Sequence, residues 1–200
     1  ILGGRESLID VLKLLDQPMP DFDPADAKLH LPFKKYLSLK DLDFSYIPNG
    51  TLVLKKINLK IMRGSKTGFI GTTGSGKSTL LDIIMGLIAP TSGEICIDDV
   101  VLDESNQRNW QSRIAHVPQT VFLTDASIAE NIALGVRKED IDWVKLRDAG
   151  EKAQISSFIS SSPQDYETLV GERGMRLSGG QRQRIGIARA LYKNCDVLVF

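Results

Sequence analysis

The stretch Gly71-Thr72-Thr73-Gly74-Ser75-Gly76-Lys77-Ser78-Thr79 decides the fold. It fits a glycine, four residues, then Gly-Lys-Ser. Before it, Lys66-Thr67-Gly68-Phe69-Ile70 reads as a buried strand; after it, Leu80-Leu81-Asp82-Ile83-Ile84-Met85 reads as an amphipathic helix. Glycines let such a loop curl until successive N–H groups point inward as an anion nest. A helix opening at Gly76 adds the positive end of its dipole to the same spot. Lys77 then supplies a mobile point charge for outer phosphates, and the Ser78 hydroxyl can hold a magnesium ion.

The rest of the composition sets bounds. Two hundred residues make one large domain, or one domain with an appendage. A hydrophobic share of 42% and a charged share of 25% are those of a soluble globular protein. Twenty-five basic and twenty-five acidic residues cancel, so no global positive field argues for nucleic acid. No apolar run approaches the roughly 18 residues that span a bilayer. Cys96 and Cys195 lie far apart without metal-type spacing and read as reduced thiols. The sequence starts at Ile1 without a methionine and stops at Phe200 inside an apolar strand, as a piece of a longer polypeptide would.

Along the chain, Leu8, Ile9, Leu12 and Leu15 recur at helical spacing within residues 1–17, and Pro18 and Pro20 stop that helix. Asp21 to Pro32 reads as a linker. Tyr36 to Tyr46 alternates as a strand with a slip near Asp41, followed by a Pro48-Asn49-Gly50 turn and a second strand over Val53 to Ile61. Further strands are expected at Glu94 to Asp98 and Arg113 to Val117, with a helix over Asn106 to Ser112. Beyond Gln119 the texture is helical: Ser127 and Glu130 form a capping box ahead of Ile128 to Leu134, and helices follow at Glu139 to Ala153 and Gln154 to Ser161. Ser178 is placed to cap a helix running to about Tyr192. His116 is expected to pack within its strand.

Several motifs now stand in one order: the loop Gly71–Ser78, Val117-Pro118-Gln119, Leu177-Ser178-Gly179-Gly180-Gln181, and an aromatic Tyr46 ahead of the loop. Together they resemble the nucleotide-binding domain of an ATP-binding-cassette (ABC) transporter. The pentapeptide alone is expected by chance in about one chain of this length in several thousand. Its distance from the loop, 178 − 77 = 101 residues, leaves room for an inserted helical subdomain. The resemblance covers about Tyr36 to Phe200 and implies an α/β fold: a P-loop NTPase (RecA-like) core with an antiparallel β subdomain and an inserted α-helical subdomain. It divides the chain into 1–35, a membrane-domain extension plus linker, and 36–200, the nucleotide-binding domain. Within the latter, 36–118 form the β and phosphate-loop core, 119–192 the helical subdomain and signature helix, and 193–200 the strand called Walker B.

The resemblance also implies roles. ATP and Mg2+ are the expected cofactors. Tyr46 stacks the adenine; Gly71, Thr72, Thr73, Gly74, Ser75, Gly76, Lys77, Ser78 and Thr79 cradle the phosphates; Ser78 and Gln119 serve the metal. Ser178, Gly179, Gly180 and Gln181 face the phosphates bound on a second nucleotide-binding domain, in a head-to-tail dimer with composite sites. Lys77, Gln119 and Ser178 are the residues expected to serve catalysis. Arg182 and Arg184 are expected to be solvated or paired. In the family the last strand is followed by a magnesium-holding aspartate, a water-activating glutamate and a switch histidine, which lie outside this sequence. Asp98-Asp99 stands where members often have Asp-Gly. Val170-Gly171-Glu172-Arg173-Gly174 and Leu14-Leu15-Asp16 resemble exporter-type members in which domain and membrane helices share one chain. The implied function is the ATP-hydrolysing motor of an exporter or flippase for a lipid, glycolipid, peptide or drug, at the cytoplasmic face of a membrane. The alternatives are a soluble non-transport ABC ATPase, which would need basic patches or coiled-coil insertions, and a regulatory cassette without turnover.

Overall fold

The computed structural model describes residues 3–16, 31 and 33–200. Its elements are α1 (Gly3–Leu15), β1 (Tyr36–Phe44), β2 (Leu54–Met62), α2 (Lys77–Ile84), β3 (Ser92–Ile97), β4 (Val100–Val101), α3 (Gln107–Ser112), β5 (Ile114–His116), α4 (Ile128–Ile132), α5 (Trp143–Lys152), α6 (Ser156–Ser160), α7 (Gly179–Lys193) and β6 (Val197–Val199). The linker read over Asp21 to Pro32 lies, except for Leu31, outside the described residues.

One sheet is antiparallel, in the order β2-β1-β3-β4. The slip near Asp41 is present: the β1 register shifts between Leu39 and Leu42, where Asp41 sits at φ +44°. The short β4 had no periodicity to announce it; it follows from the tight Asp98-Asp99 turn, both residues at positive φ. A second sheet pairs β5 and β6 in parallel. Its faces look onto two cores. Ile114 and Val199 join β1, β3, α2 and Trp110, while Ala115 and Val117 join α4, α5 and α7. Helices on opposite faces of a parallel pair give the layered α/β plan.

Trp110 organises the first core. It is fully buried, donates its indole N–H to Ile84 O at 2.8 Å, and meets Phe33 edge-on at 5.5 Å. That fixes the C-terminal end of α2 against α3. In the second core, fully buried Asn131 on α4 donates to Thr124 O and Ser127 O and accepts from Thr124 N–H. Arg189 on α7 donates to Asn131 O at 2.8 Å and Phe122 O at 3.0 Å. An Arg63–Asp196–Arg113 cluster (3.0 and 2.6 Å) joins the turn after β2 to the starts of β5 and β6.

Four expectations need correction. Lys66–Ile70 is not a buried strand: it enters no ladder, Phe69 is half-buried and Ile70 is 97% exposed. Among the described strands β5 and β6 pair only with each other, and residues 66–70 add no strand to them. The helix expected from Glu139 begins at Trp143. Residues Lys138–Asp140 make one tight turn, and the Asp142 side chain accepts from Val144 and Lys145 N–H, which opens the helix there. The helix expected from Gln154 runs only Ser156–Ser160, because Gln154 sits at φ +56°. His116 is exposed. It shares a face with Ile114 by the two-residue alternation of a strand, but no described neighbour covers it.

The backbone N–H groups of the segment entering β1 converge on a single carboxylate. Asp98 accepts the backbone N–H groups of Lys34, Lys35 and Tyr36, the latter two at 2.7 and 2.8 Å. Desolvation opposes its charge, but these N–H groups outweigh it and hold the carboxyl below the usual carboxylate range. Glu130 is lowered too, first by the Ser127 hydroxyl and then by the Ser127 N–H. A carboxyl depressed in the folded state contributes stability that is present above its unfolded pKa of about 4 and lost as pH falls through the folded value. Melting temperatures followed by circular dichroism should therefore fall as pH drops below about 4. Asp98→Asn should lower stability at neutral pH and make that acid-side fall shallower; an unchanged acid limb would count against the Asp98 clamp.

Candidate functional site

The site is built where the antiparallel sheet meets α2. The chain leaves Ile70, curls through Gly71–Gly76 and enters α2 at Lys77. Gly74 and Gly76 stand at φ +81° and +85°, a region that side chains resist. A Cβ on Gly76 would also lie 2.9 Å from Leu54 Cδ2 and 3.3 Å from Val53 O. The helix starts without a side-chain cap and without an acidic residue in its first turn. Its leading N–H groups are thus left for a ligand, with the dipole behind them. Lys77 Nζ folds back onto Gly71 O (2.9 Å), Thr72 O (2.8 Å) and Ser75 Oγ (3.4 Å). These neutral acceptors leave the ammonium charge uncompensated at the loop.

A cleft of about 380 Å3 is lined by Tyr46, Val53, Thr73, Gly74, Gly76, Lys77, Ser78 and Thr79. Tyr46 is 63% exposed, its ring edge-on to Phe44 at 4.9 Å and its hydroxyl 2.9 Å from Thr79 Oγ1. An aromatic face beside an anion nest suits a ligand that carries both a flat base and phosphates.

The remaining candidates lie outside this cleft. Gln119 is exposed on the loop after β5, and the far end of that loop is fixed by the Asn131 bonds to Thr124. Ser178 caps α7 in a capping box: its Oγ accepts from Gln181 N–H, and the Gln181 side chain accepts from Ser178 N–H. Ser178, Gly179 and Gly180 are exposed, and a Cβ on either glycine would meet nothing within 4 Å. That end of α7 is open to an approaching surface. Arg182 is paired as expected, to Gly174 O and Leu177 O, and Arg184 is exposed. Cys96 is buried and Cys195 partly so, both free thiols, and burial pushes the Cys195 thiol up. Sequence reasoning missed the Tyr46–Thr79 contact, since it joins residues 33 apart on different elements.

These features define a P-loop nucleotide-binding domain. A family model described as "ABC transporter" matches residues 54–200, and the chain belongs to that family. It is 38% identical over 198 residues to the ATP-dependent lipid A-core flippase of Saccharophagus degradans, covering 99% of this chain and 32% of that protein. It is 36% identical over 199 residues to the beta-(1→2)glucan export ATP-binding/permease protein NdvA of Rhizobium meliloti, covering 100% and 34%. It is 40% identical over 199 residues to the leukotoxin translocation ATP-binding protein LktB of Mannheimia haemolytica, covering 96% and 27%. The chain thus spans about a third of the length of the curated relatives it matches. Among solved structures, a bacterial Atm1-family ABC exporter with ATP bound is similar at a TM-score of 0.81 and 31% identity, over 97% of this chain and 34% of that one. No described helix is long and apolar enough to cross a membrane.

Replacing Lys77 by alanine should abolish tight ATP binding in a folded protein, measured by calorimetry with magnesium; unchanged affinity would remove the phosphate-loop assignment. Gly76→Ala should weaken ATP as well, because its Cβ would press on Leu54 in a left-handed backbone. Titration of this variant beside the parent checks it, and equal affinity would mean the loop does not need that geometry.

Proposed function

We propose that the chain is the ATP-binding and ATP-hydrolysing motor domain of an exporter or flippase. The observation that carries this reading is the single cleft that gathers Tyr46, Lys77, Ser78 and the uncapped start of α2. The names of the relatives, a flippase, a glucan exporter and a toxin translocator, support the transport class.

The donor set fits a magnesium nucleotide. Backbone N–H groups and Lys77 meet phosphate oxygens, and Tyr46 offers a stacking face for adenine. No group of three or more His, Cys, Asp and Glu among the described residues could hold a metal alone. Ser78 would offer its hydroxyl to a magnesium ion that accompanies the nucleotide. Gln119 would offer its amide oxygen to the metal or to the attacking water. Bound magnesium supplies charge neutralisation on the phosphates; this chain's own residues bind, orient and screen them.

Ser178, Gly179, Gly180 and Gln181 act on a different nucleotide. Their helix end is exposed, and it lies on another element than the phosphate loop. They complete the pocket of a second nucleotide-binding domain, in a head-to-tail pair. Closing that pair would move a transmembrane domain carried by the same chain, with the motor at the cytoplasmic face of the membrane. The cargo is a lipid, glycolipid, peptide or drug, and its recognition belongs to the membrane part.

Two substitutions at one position test the composite site. Ser178→Ala removes the cap, a loss of about 1 kcal/mol to α7, together with one hydroxyl of the second pocket, and should weaken ATP-driven dimerisation only in part. Ser178→Arg places a bulky side chain over the exposed helix end. It should keep ATP binding to a single domain nearly intact while abolishing dimerisation and most ATPase activity. Sedimentation of the nucleotide-binding domain with and without ATP, under conditions that block turnover, reads the difference. If the arginine variant dimerises like the parent, the motif is only a helix cap.

A further inference from the structure

We propose that Thr79 is a positioning residue for the base platform: its hydroxyl holds the Tyr46 ring at a fixed height above the phosphate loop. The inference rests on the reading of this cleft as a nucleotide site and adds the element that joins its two halves. Tyr46 follows β1 on an exposed segment and is 63% exposed, so packing alone does not fix its ring. Two contacts do. Phe44, itself buried, meets the ring edge-on at 4.9 Å and 85°. The Tyr46 and Thr79 hydroxyls share a hydrogen bond of 2.9 Å.

Thr79 is a firm anchor. It is only 6% exposed, sits in the first turn of α2, and follows directly on Lys77 and Ser78. The bond therefore ties the aromatic face to the helix whose first residues serve the phosphates. A ring held by both contacts has lost its rotamer freedom before any ligand arrives, so binding does not bear that ordering cost. The distance from stacking face to anion nest is set by one side-chain bond across the cleft. That geometry selects ligands with a base and a phosphate chain in one molecule, over a free base or a free polyphosphate.

The experiment is a double-mutant cycle in the full-length protein. Calorimetry measures magnesium-ATP and, as a ligand without a base, magnesium tripolyphosphate. Tyr46→Phe and Thr79→Val should each weaken ATP about two- to tenfold, the net worth of one neutral hydrogen bond. The double variant should be no weaker than either single one, because both remove the same bond. Thr79→Ser should restore the parent affinity, and Tyr46→Phe should leave tripolyphosphate unchanged. Additive losses in the double variant would overturn the proposal. So would a Tyr46→Phe protein that binds ATP like the parent. A Thr79→Val loss equal for ATP and tripolyphosphate, with no effect of Tyr46→Phe, would assign Thr79 to the phosphates alone and overturn it too. Should Thr79→Val fail to fold, the exposed Tyr46→Phe change and Thr79→Ser still decide. Lys77→Ala separates the two levels: if it spares ATP binding the nucleotide site itself falls, whereas loss there with no effect of Tyr46→Phe sinks only the positioning role.

Discussion

The start of α2 depends on a backbone that only glycine tolerates well. Gly76 turns at φ +85° with Leu54 and Val53 packed where a Cβ would stand. This constraint brings the antiparallel sheet against the loop and aims the first N–H groups of the helix at the cleft. It also leaves them uncapped. In α4, α5 and α7 the same groups are served by Ser127, Asp142 and Ser178. The short α3 and α6 also start without a side-chain cap, but at α2 the free N–H groups stand beside the cleft, as an anion site requires. The end opposite the loop carries the compensating rigidity, where Trp110 bonds to Ile84 O and Gln111 to Gly86 O at 2.7 Å.

Much of this was legible in the sequence because it is local. The phosphate loop, the Ser127 capping box, the Ser178 cap and the slip in β1 are written in residues a few positions apart, and each is found where its chemistry puts it. Apolar content misled at Lys66–Ile70, since a strand needs a neighbour as well as a composition. Asp142 outcompeted the helical run that began at Glu139, because its short side chain closes the first turn where the periodicity gave no boundary. The contacts that assemble the site were the least legible. Tyr46 with Thr79, Asp98 with residues 34–36 and Arg189 with Asn131 and Phe122 all join distant positions, and no spacing rule reaches across them.

The two cores share one short parallel pair. Ile114 faces the core of α2, and its neighbour Ala115 faces the core of α7. Gln119 leaves this pair two residues beyond Val117, so the loop that bears it starts from the seam between the cores and is tied down again at Asn131. Val121 and Leu123 of this loop are seated in the core of α4, α5 and α7, while Gln119 and Thr120 ahead of them are exposed. The exposed glutamine thus stands at the start of a segment anchored in the helical layer.

The Asp98 clamp has a mechanical side. It fixes residues 34–36 to the turn between β3 and β4, immediately before β1 begins. β1 is an inner strand, bonded on one edge to β2 and on the other to β3. A pull along this strand loads both ladders in shear, with many bonds resisting together, instead of peeling them open one at a time. The far end of β1 carries Phe44, against which the Tyr46 ring rests. Tension on the segment ahead of β1 is thereby carried along an inner strand whose other end touches the Tyr46 ring.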